Sequence, residues 1–108
     1  VLVSGIFELQ PLLGLSINDP LNLNKIEAGF NSPIRYDLQG FPNAIIAWGS
    51  NETNEFKRQS KLFYNKLVDA SVLTRSIEIP NRNHFNVILD ITNFDLPLGK
   101  EVHKLINL

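Results

Sequence analysis

The 108-residue sequence contains no cysteine and no methionine. A chain without cysteine forms neither disulfide bonds nor thiolate metal sites, and this absence fits the cytoplasmic location that we expect. The formal net charge of −1 provides no attraction to nucleic acid or to an anionic membrane. No apolar stretch approaches the roughly 18 residues that a membrane-spanning helix needs, and the first residues lack the basic region of a signal peptide. We therefore expect neither nucleic-acid nor membrane partners.

Several motifs of catalysis and ligand binding are also missing. No serine lies in a Gly-x-Ser-x-Gly sequence, no group of residues has metal-ligand spacing, and no glycine-rich loop is suited to phosphate. The sequence therefore predicts no metal and no cofactor. Its first residues, Val1-Leu2-Val3, are typical of the end of a buried strand. We accordingly expect a piece of a larger protein, and the alternative is a complete small domain with a trimmed N-terminus.

Apolar runs and helical periodicities alternate along the chain. Residues 43–48 form a continuous apolar run, which is typical of a strand buried on both faces. Residues 54–70 place Phe56, Phe63, Leu67 and Ala70 near helical spacing, with Leu62 widening the apolar stripe. Further elements are predicted as a strand at 75–79, helices at 25–30, 85–91 and 101–107, and a turn region at 93–99. Ile106 of the last helix is expected to face inward. This alternation predicts an α/β fold with parallel strands and crossover helices.

Two polar loops follow the strands at 43–48 and 75–79. The first contains Glu52 and the second contains His84. Because ligands bind beyond the carboxyl ends of the strands in open α/β sheets, both side chains are expected at one edge. An acid followed by a histidine is the order in which an α/β hydrolase presents these two members of its triad. By spacing alone, His84 could equally be a solvated or capping residue. Glu52 could have only the structural role of an acid near a helix N-terminus, where it interacts favourably with the helix dipole.

The other chemically interesting side chains have simpler interpretations. Phe85 either lines an acyl or aryl pocket, as a weak candidate for substrate binding, or serves in packing. Ser4 follows a strand and could face the site, but we expect its hydroxyl to make a backbone or loop hydrogen bond rather than to act in catalysis. His103 is interpreted as a surface or helix-end residue, Asp90 as a helix-end residue, and Trp48 as part of the core.

Four segments in this order resemble arylformamidases, also called kynurenine formamidases. They are Val-Ser-Gly-Ile-Phe-Glu-Leu-Gln-Pro at 3–11, Asn-Ser-Pro at 31–33, Gly-Ser-Asn-Glu-Thr-Asn-Glu-Phe-Lys-Arg-Gln-Ser at 49–60, and Arg-Asn-His-Phe-Asn-Val-Ile at 82–88. The resemblance covers nearly the whole chain. It implies a single partial domain over residues 1–108, the C-terminal portion of an α/β-hydrolase fold.

The same resemblance implies roles for two residues. Glu52 occupies the position of the triad acid, where the family usually has aspartate, and His84 occupies the position of the triad histidine. The nucleophilic serine and the His-Gly-Gly oxyanion segment of the family are expected to precede Val1. The implied reaction is serine-dependent hydrolysis of a small amide or ester, such as N-formylkynurenine to kynurenine and formate, without a cofactor.

Two alternatives remain at this point. One is a general carboxylesterase of small acyl esters, and the other is a non-catalytic α/β module that binds a ligand or partner at the same sheet edge. The isolated piece is expected to be inactive. We also expect it to self-associate, or to associate with the missing N-terminal part, through an exposed sheet edge.

Overall fold

The computed structural model describes residues 1–107, which form one parallel three-stranded sheet with helices between and after its strands. The strands are β1 (Leu2–Val3), β2 (Ala44–Gly49) and β3 (Thr74–Ile79), in the spatial order β1-β2-β3. The α-helices are α1 (Lys25–Phe30), α2 (Asn54–Asp69) and α3 (Pro97–Ile106), and 3₁₀ turns cover Gln10–Leu12, Ser16–Asn18, Pro33–Arg35 and Val87–Thr92. The predicted α/β class with parallel strands is confirmed, and the architecture is consistent with part of an α/β-hydrolase fold.

The central strand β2 is buried along its whole length, as its apolar sequence predicts. Ile46 and Trp48 pack with Phe63 of α2 on one face of the sheet. Ala47 packs with Leu98 and other residues of α3 on the opposite face. Since successive side chains of a strand point to opposite faces, this one strand contributes to both halves of the core. Both faces of the sheet are therefore covered by helices.

Helix α2 follows the predicted range closely, and its buried face differs from the predicted apolar stripe at Leu62. Phe63 and Leu67 are buried, whereas Leu62 is 39% exposed and does not widen the apolar face. Gln59 and Ser60 are buried instead. The prediction for Leu62 was wrong because the segment that contains Phe7 and Glu8 covers the helix face that carries Gln59, and it gives this polar side chain its hydrogen-bond partners.

The crossover from β1 to β2 is fastened to α2 by the side chain of Gln59. Its Oε1 accepts hydrogen bonds from the backbone N–H groups of Phe7 at 2.7 Å and Glu8 at 2.9 Å, and its Nε2 donates to the carbonyl of Glu8 at 2.9 Å. Within the crossover itself, the hydroxyl of the buried Ser32 accepts from the N–H of Leu9 at 2.8 Å. A buried amide with these bonds fixes the start of the crossover against the helix.

The C-terminal third departs from the prediction in three places. The predicted turn at 93–99 ends early, because α3 begins at Pro97. Proline is favoured at the first helical position, since an N–H group there would have no hydrogen-bond partner within the helix. The helix predicted at 85–91 is a 3₁₀ segment, Val87–Thr92, which starts two residues later. Ile106 was expected to face inward but is 69% exposed. None of the helices within residues 1–107 has the length and apolar character to cross a membrane.

Candidate active site

The carboxyl ends of β2 and β3 bring Glu52 and His84 into direct contact. Nδ1 of His84 lies 2.9 Å from Oε1 of Glu52. The Glu52 side chain is fully buried, whereas 43% of the His84 side chain is exposed. A carboxylate only accepts hydrogen bonds, so this contact places the imidazole proton on Nδ1 and leaves Nε2 as an acceptor. The catalytic roles of both residues stay predictions.

The other carboxylate oxygen of Glu52 is held by two donors. The hydroxyl of Ser4 donates to Oε2 at 2.6 Å, and the backbone N–H of Gly49 donates to the same atom at 2.6 Å. Ser4 directly follows β1, is buried, and has a left-handed backbone with a φ of +50°. The ends of all three strands therefore contribute to one carboxylate, which has both oxygens occupied.

Ser4 lies at this contact, as its position after a strand allows. Its hydroxyl donates to the carboxylate of Glu52, which lies 48 residues further along the chain in the loop after β2. The expected hydrogen bond to a loop is therefore present, whereas the carboxylate as its acceptor was not predicted from sequence.

The two loops that carry Glu52 and His84 are joined through their backbones. The N–H of Asn51 donates to the carbonyl of Arg82 at 2.9 Å, and the N–H of Ser50 donates to the carbonyl of Ile79 at 2.9 Å. The backbone of Gly49 packs directly against the carbonyl group of Arg82. A Cβ atom added at Gly49 would lie only 2.1 Å from that carbonyl oxygen. Only a residue without a side chain permits this approach, so Gly49 sets the spacing between the loops.

The histidine loop has its own local support. The side chain of Asn83 accepts hydrogen bonds from the N–H groups of Phe85 at 2.9 Å and Asn86 at 3.0 Å, and the side chain of Asn86 accepts from the N–H of Asn83 at 2.7 Å. Asparagine side chains often replace backbone turns in this way. This reciprocal turn delays the helical segment to Val87 and presents His84 on its outside.

A buried acid braces this loop from behind. Asp90 is 4% exposed, and its carboxylate oxygens accept from Nε of Arg82 at 2.9 and 3.1 Å. Asp90 was expected to be a simple helix-end residue, and this expectation was wrong because the 3₁₀ segment turns it inward toward Arg82. The pair holds the loop whose carbonyl receives the Asn51 N–H group.

Aromatic rings flank the imidazole of His84 on two sides. The ring of Phe56 stacks on it, with centroids 4.4 Å apart and an interplanar angle of 26°. Phe85 meets it edge-on at 5.5 Å, yet Phe85 itself is 84% exposed. Phe85 is therefore not packed in a buried core, as one of its two interpretations required. Its role in substrate binding stays a prediction. Phe56 was assigned to helix packing, so its contact with His84 was also missed.

The remaining candidates lie apart from this contact network. His103 is exposed in the last turn of α3, with its ring 4.6 Å from that of Phe94. Trp48 is buried in the core and donates from Nε1 to Glu78 at 3.0 Å. Both interpretations are confirmed. Among residues 1–107, no group of three or more histidine, aspartate or glutamate side chains is arranged to hold a metal ion.

Parallel strands, crossover helices and an acid–histidine pair at their carboxyl ends are features of α/β hydrolases. The chain is 31% identical to kynurenine formamidase of Danio rerio and 32% identical to kynurenine formamidase of Salmo salar, in each case over 110 residues. These matches cover 97% and 96% of this chain. The predicted resemblance to arylformamidases is confirmed.

The chain spans 38% and 37% of the length of these two relatives. An uncharacterized protein, L581 of Acanthamoeba polyphaga mimivirus, is 34% identical over 59 residues, which are 54% of this chain and 8% of that protein. No protein-family model matches the sequence.

Proposed function

We propose that this chain supplies the acid and histidine of a serine-type hydrolase that cleaves an aryl formamide, as the names of its relatives suggest. The observation that carries the proposal is the 2.9 Å contact between Nδ1 of His84 and Oε1 of Glu52. Its support is the pair of donors on Oε2, which leaves Oε1 for the histidine. A carboxylate held in this way keeps one tautomer and one orientation of the imidazole.

In the proposed reaction, a serine from outside these 108 residues attacks the carbonyl carbon of the amide. Nε2 of His84 accepts the serine proton and then donates it to the leaving amine. Glu52 stabilises the imidazolium that exists between these two transfers. Water then attacks the formyl-enzyme, with Nε2 of His84 accepting its proton, and formate leaves as the serine recovers its hydrogen. No cofactor takes part in this sequence.

The test is hydrolysis of formanilide, an aryl formamide, by the full-length protein and its variants. His84→Ala should lower kcat by about 10⁶-fold and Glu52→Gln by about 10⁴-fold, the losses that follow removal of the histidine and of the acid of a triad. His103→Gln is the matched control, because this histidine is exposed on α3, and it should retain the activity of the wild type. Turnover that survives in both His84→Ala and Glu52→Gln would contradict the proposed roles.

A short-chain aryl ester, assayed side by side with formanilide, distinguishes the carboxylesterase alternative. A hydrolase selective for aryl formamides has the higher kcat/KM for formanilide. A general esterase prefers the ester but loses that activity in the same two variants. If the wild-type protein turns over neither substrate, the chain is a binding module and the proposal is wrong.

A further inference from the structure

An apolar cleft lies between the segment that follows β1 and the first turns of α2. Its volume is about 350 Å³, which falls in the size range of small-molecule sites. The apolar residues that line it are Ile6, Leu12, Leu15, Ile17 and Phe56. One of its two walls, the start of α2, also carries a side chain that contacts His84.

Phe56 connects the cleft to the candidate catalytic histidine. This residue lines the cleft, and its ring stacks on the imidazole of His84 at 4.4 Å. A group bound in the cleft would therefore lie one side chain away from His84.

We propose that this cleft binds the aromatic ring of the aryl amide substrate, with residues 6–17 as the wall that determines specificity. The proposal rests on the proposed hydrolase function. It places a flat apolar group against Leu15, Ile17 and Phe56, and the amide carbon toward His84.

The charges at the cleft favour a neutral ring over an ionic group. Glu55 is the ionisable residue of the lining, and its carboxylate is paired with Arg58 at 2.6 Å and accepts from Gln59 at 2.9 Å. These hydrogen bonds lower the pKa of Glu55 to about 2, and the bond from Arg58 has the largest effect. Because its charge is matched by Arg58, Glu55 leaves little attraction for a cationic ligand.

The wall of the cleft combines a fixed base with an exposed apolar rim. Gln59 holds the backbone of Phe7 and Glu8 against α2, and Leu12 is buried. Leu15 and Ile17 are each 53% exposed. A bound ring would cover these side chains, and covering apolar surface is favourable in proportion to its area.

Binding can be measured separately from turnover with acetanilide as the probe, by NMR titration of the full-length protein. Leu15→Ser should weaken binding by about fivefold to tenfold, because part of one leucine contact is lost. Leu21→Ser is the matched control, since Leu21 is 55% exposed in the same crossover and does not line the cleft. N-methylacetamide, which has the amide without the ring, should bind far more weakly than acetanilide.

Kinetics then separate this proposal from the proposed function. Leu15→Ser should lower kcat/KM for formanilide by about fivefold to tenfold and leave that for methyl formate, which has no ring, at the wild-type value. Ser16→Trp, which adds bulk to the exposed lining without touching the core, should produce the same selectivity change.

The outcomes are distinguishable. If formanilide is hydrolysed but both cleft variants bind acetanilide as the wild type does, the ring binds elsewhere and the cleft proposal is wrong. A loss of kcat/KM that is equal for formanilide and methyl formate would also overturn it. If the protein hydrolyses nothing, yet acetanilide binding is weakened by Leu15→Ser and not by Leu21→Ser, the hydrolase proposal fails and the ring site stands.

Discussion

At the residue scale, Glu52 uses its two carboxylate oxygens for different partners. Oε1 faces Nδ1 of His84, and Oε2 accepts from Ser4 and from the backbone of Gly49. Because the side chain is fully buried, these donors replace the water that a carboxylate would otherwise bind. Because Oε2 is held by these two donors, the carboxylate has one orientation in which Oε1 contacts Nδ1 of His84. Ser4 is therefore a positioning residue in the proposed mechanism.

Replacing Ser4 by alanine tests this role. Ser4→Ala should lower the free energy of unfolding by about 1.5 kcal/mol, since a hydrogen bond to a buried carboxylate is lost. It should also move the ¹H resonance of the His84 Nδ1 proton, because Glu52 is then held by one donor fewer. Urea unfolding and NMR measure the two effects.

Ser71→Ala is the matched control for replacing a serine whose backbone is left-handed. Ser71 is exposed and has a φ of +61°, close to the +50° of Ser4. The control should change stability by no more than about 0.5 kcal/mol and leave the His84 resonance in place. A resonance that also stays in place in Ser4→Ala would show that Ser4 has only a structural role.

The positions of Glu52 and His84 could be predicted from sequence, whereas their supporting contacts could not. An acid and a histidine after successive strands follow from a general rule about the edge of a parallel sheet. The hydroxyl of Ser4, the carboxylate of Asp90 and the ring of Phe56 depend on rotamers and loop turns. The position of Ser4 after a strand indicates that it can lie near the site, but nothing in the local sequence distinguishes Asp90 and Phe56 from ordinary helix-end and packing residues.

At the scale of elements, the contact between the loops after β2 and β3 determines the site geometry. Gly49→Ala would place a methyl group 2.1 Å from the Arg82 carbonyl oxygen. The loops must then separate, and we expect a loss of about 3 kcal/mol in the free energy of unfolding. The His84–Glu52 contact should lengthen as well, which the His84 Nδ1 proton resonance reports.

Gly14→Ala is the matched control for this prediction. A Cβ at Gly14 would have no neighbouring atom within 4 Å, so its stability should stay within about 0.5 kcal/mol of the wild type. Equal stabilities of the two variants would contradict the close approach of Gly49 to Arg82.

The first turn of α2 carries a pH-dependent contribution to stability. Hydrogen bonds from Arg58 and Gln59 lower the pKa of Glu55 from 4.5 to about 2. A depressed pKa means that the stabilisation is complete above pH 4.5 and is lost as the pH falls toward 2. Glu55→Gln should therefore cost about 0.5 kcal/mol or less at pH 6, since both side chains are nearly half exposed.

Urea unfolding at several pH values measures this difference. The gap between wild type and Glu55→Gln should shrink between pH 5 and pH 3, and 1 M salt should shrink it at pH 6 as well. A gap that stays constant over this range would show that Glu55 acts without its charge.

The strand and helix types could be predicted better than their ends. The run at 43–48 and the periodicity at 54–70 are long enough to identify β2 and α2. Around Pro97 the same residue type is compatible with a turn and with a helix start, and only the packing of Leu98 and Val102 against the sheet decides between them. The helix expected at 85–91 starts late because the Asn83 side chain competes for the backbone N–H groups.

At the scale of the whole molecule, the two edges of the sheet differ in their protection. On β3, Arg75 and Glu78 are exposed and charged, and Pro80 follows the strand directly. Charged side chains and proline discourage pairing with another chain. On β1, Leu2 and Val3 pair with β2 on one side, and within residues 1–107 no strand pairs with their other side. The open edge of β1 is thus the surface through which self-association was predicted.

Light scattering of the 108-residue chain tests this prediction. Since the N–H of Ser4 points to β2, alternation along the strand directs the N–H of Val3 to the open edge. Val3→Pro removes that donor and should lower the apparent mass toward the monomer, whereas Val3→Ala keeps the donor and should not. A monomer for the wild-type chain would contradict the prediction.

The three residues that meet at the carboxylate are also far apart in synthesis. Ser4 leaves the ribosome 48 residues before Glu52, and Glu52 leaves it 32 residues before His84. Because each comes from the end of a different strand, the acid–histidine pair forms only after β3 has docked beside β2. Non-local strand pairing of this kind is a slow step of folding. The nascent chain consequently has no contact between Glu52 and His84 until β3 is in place, so the candidate site cannot form earlier than the sheet.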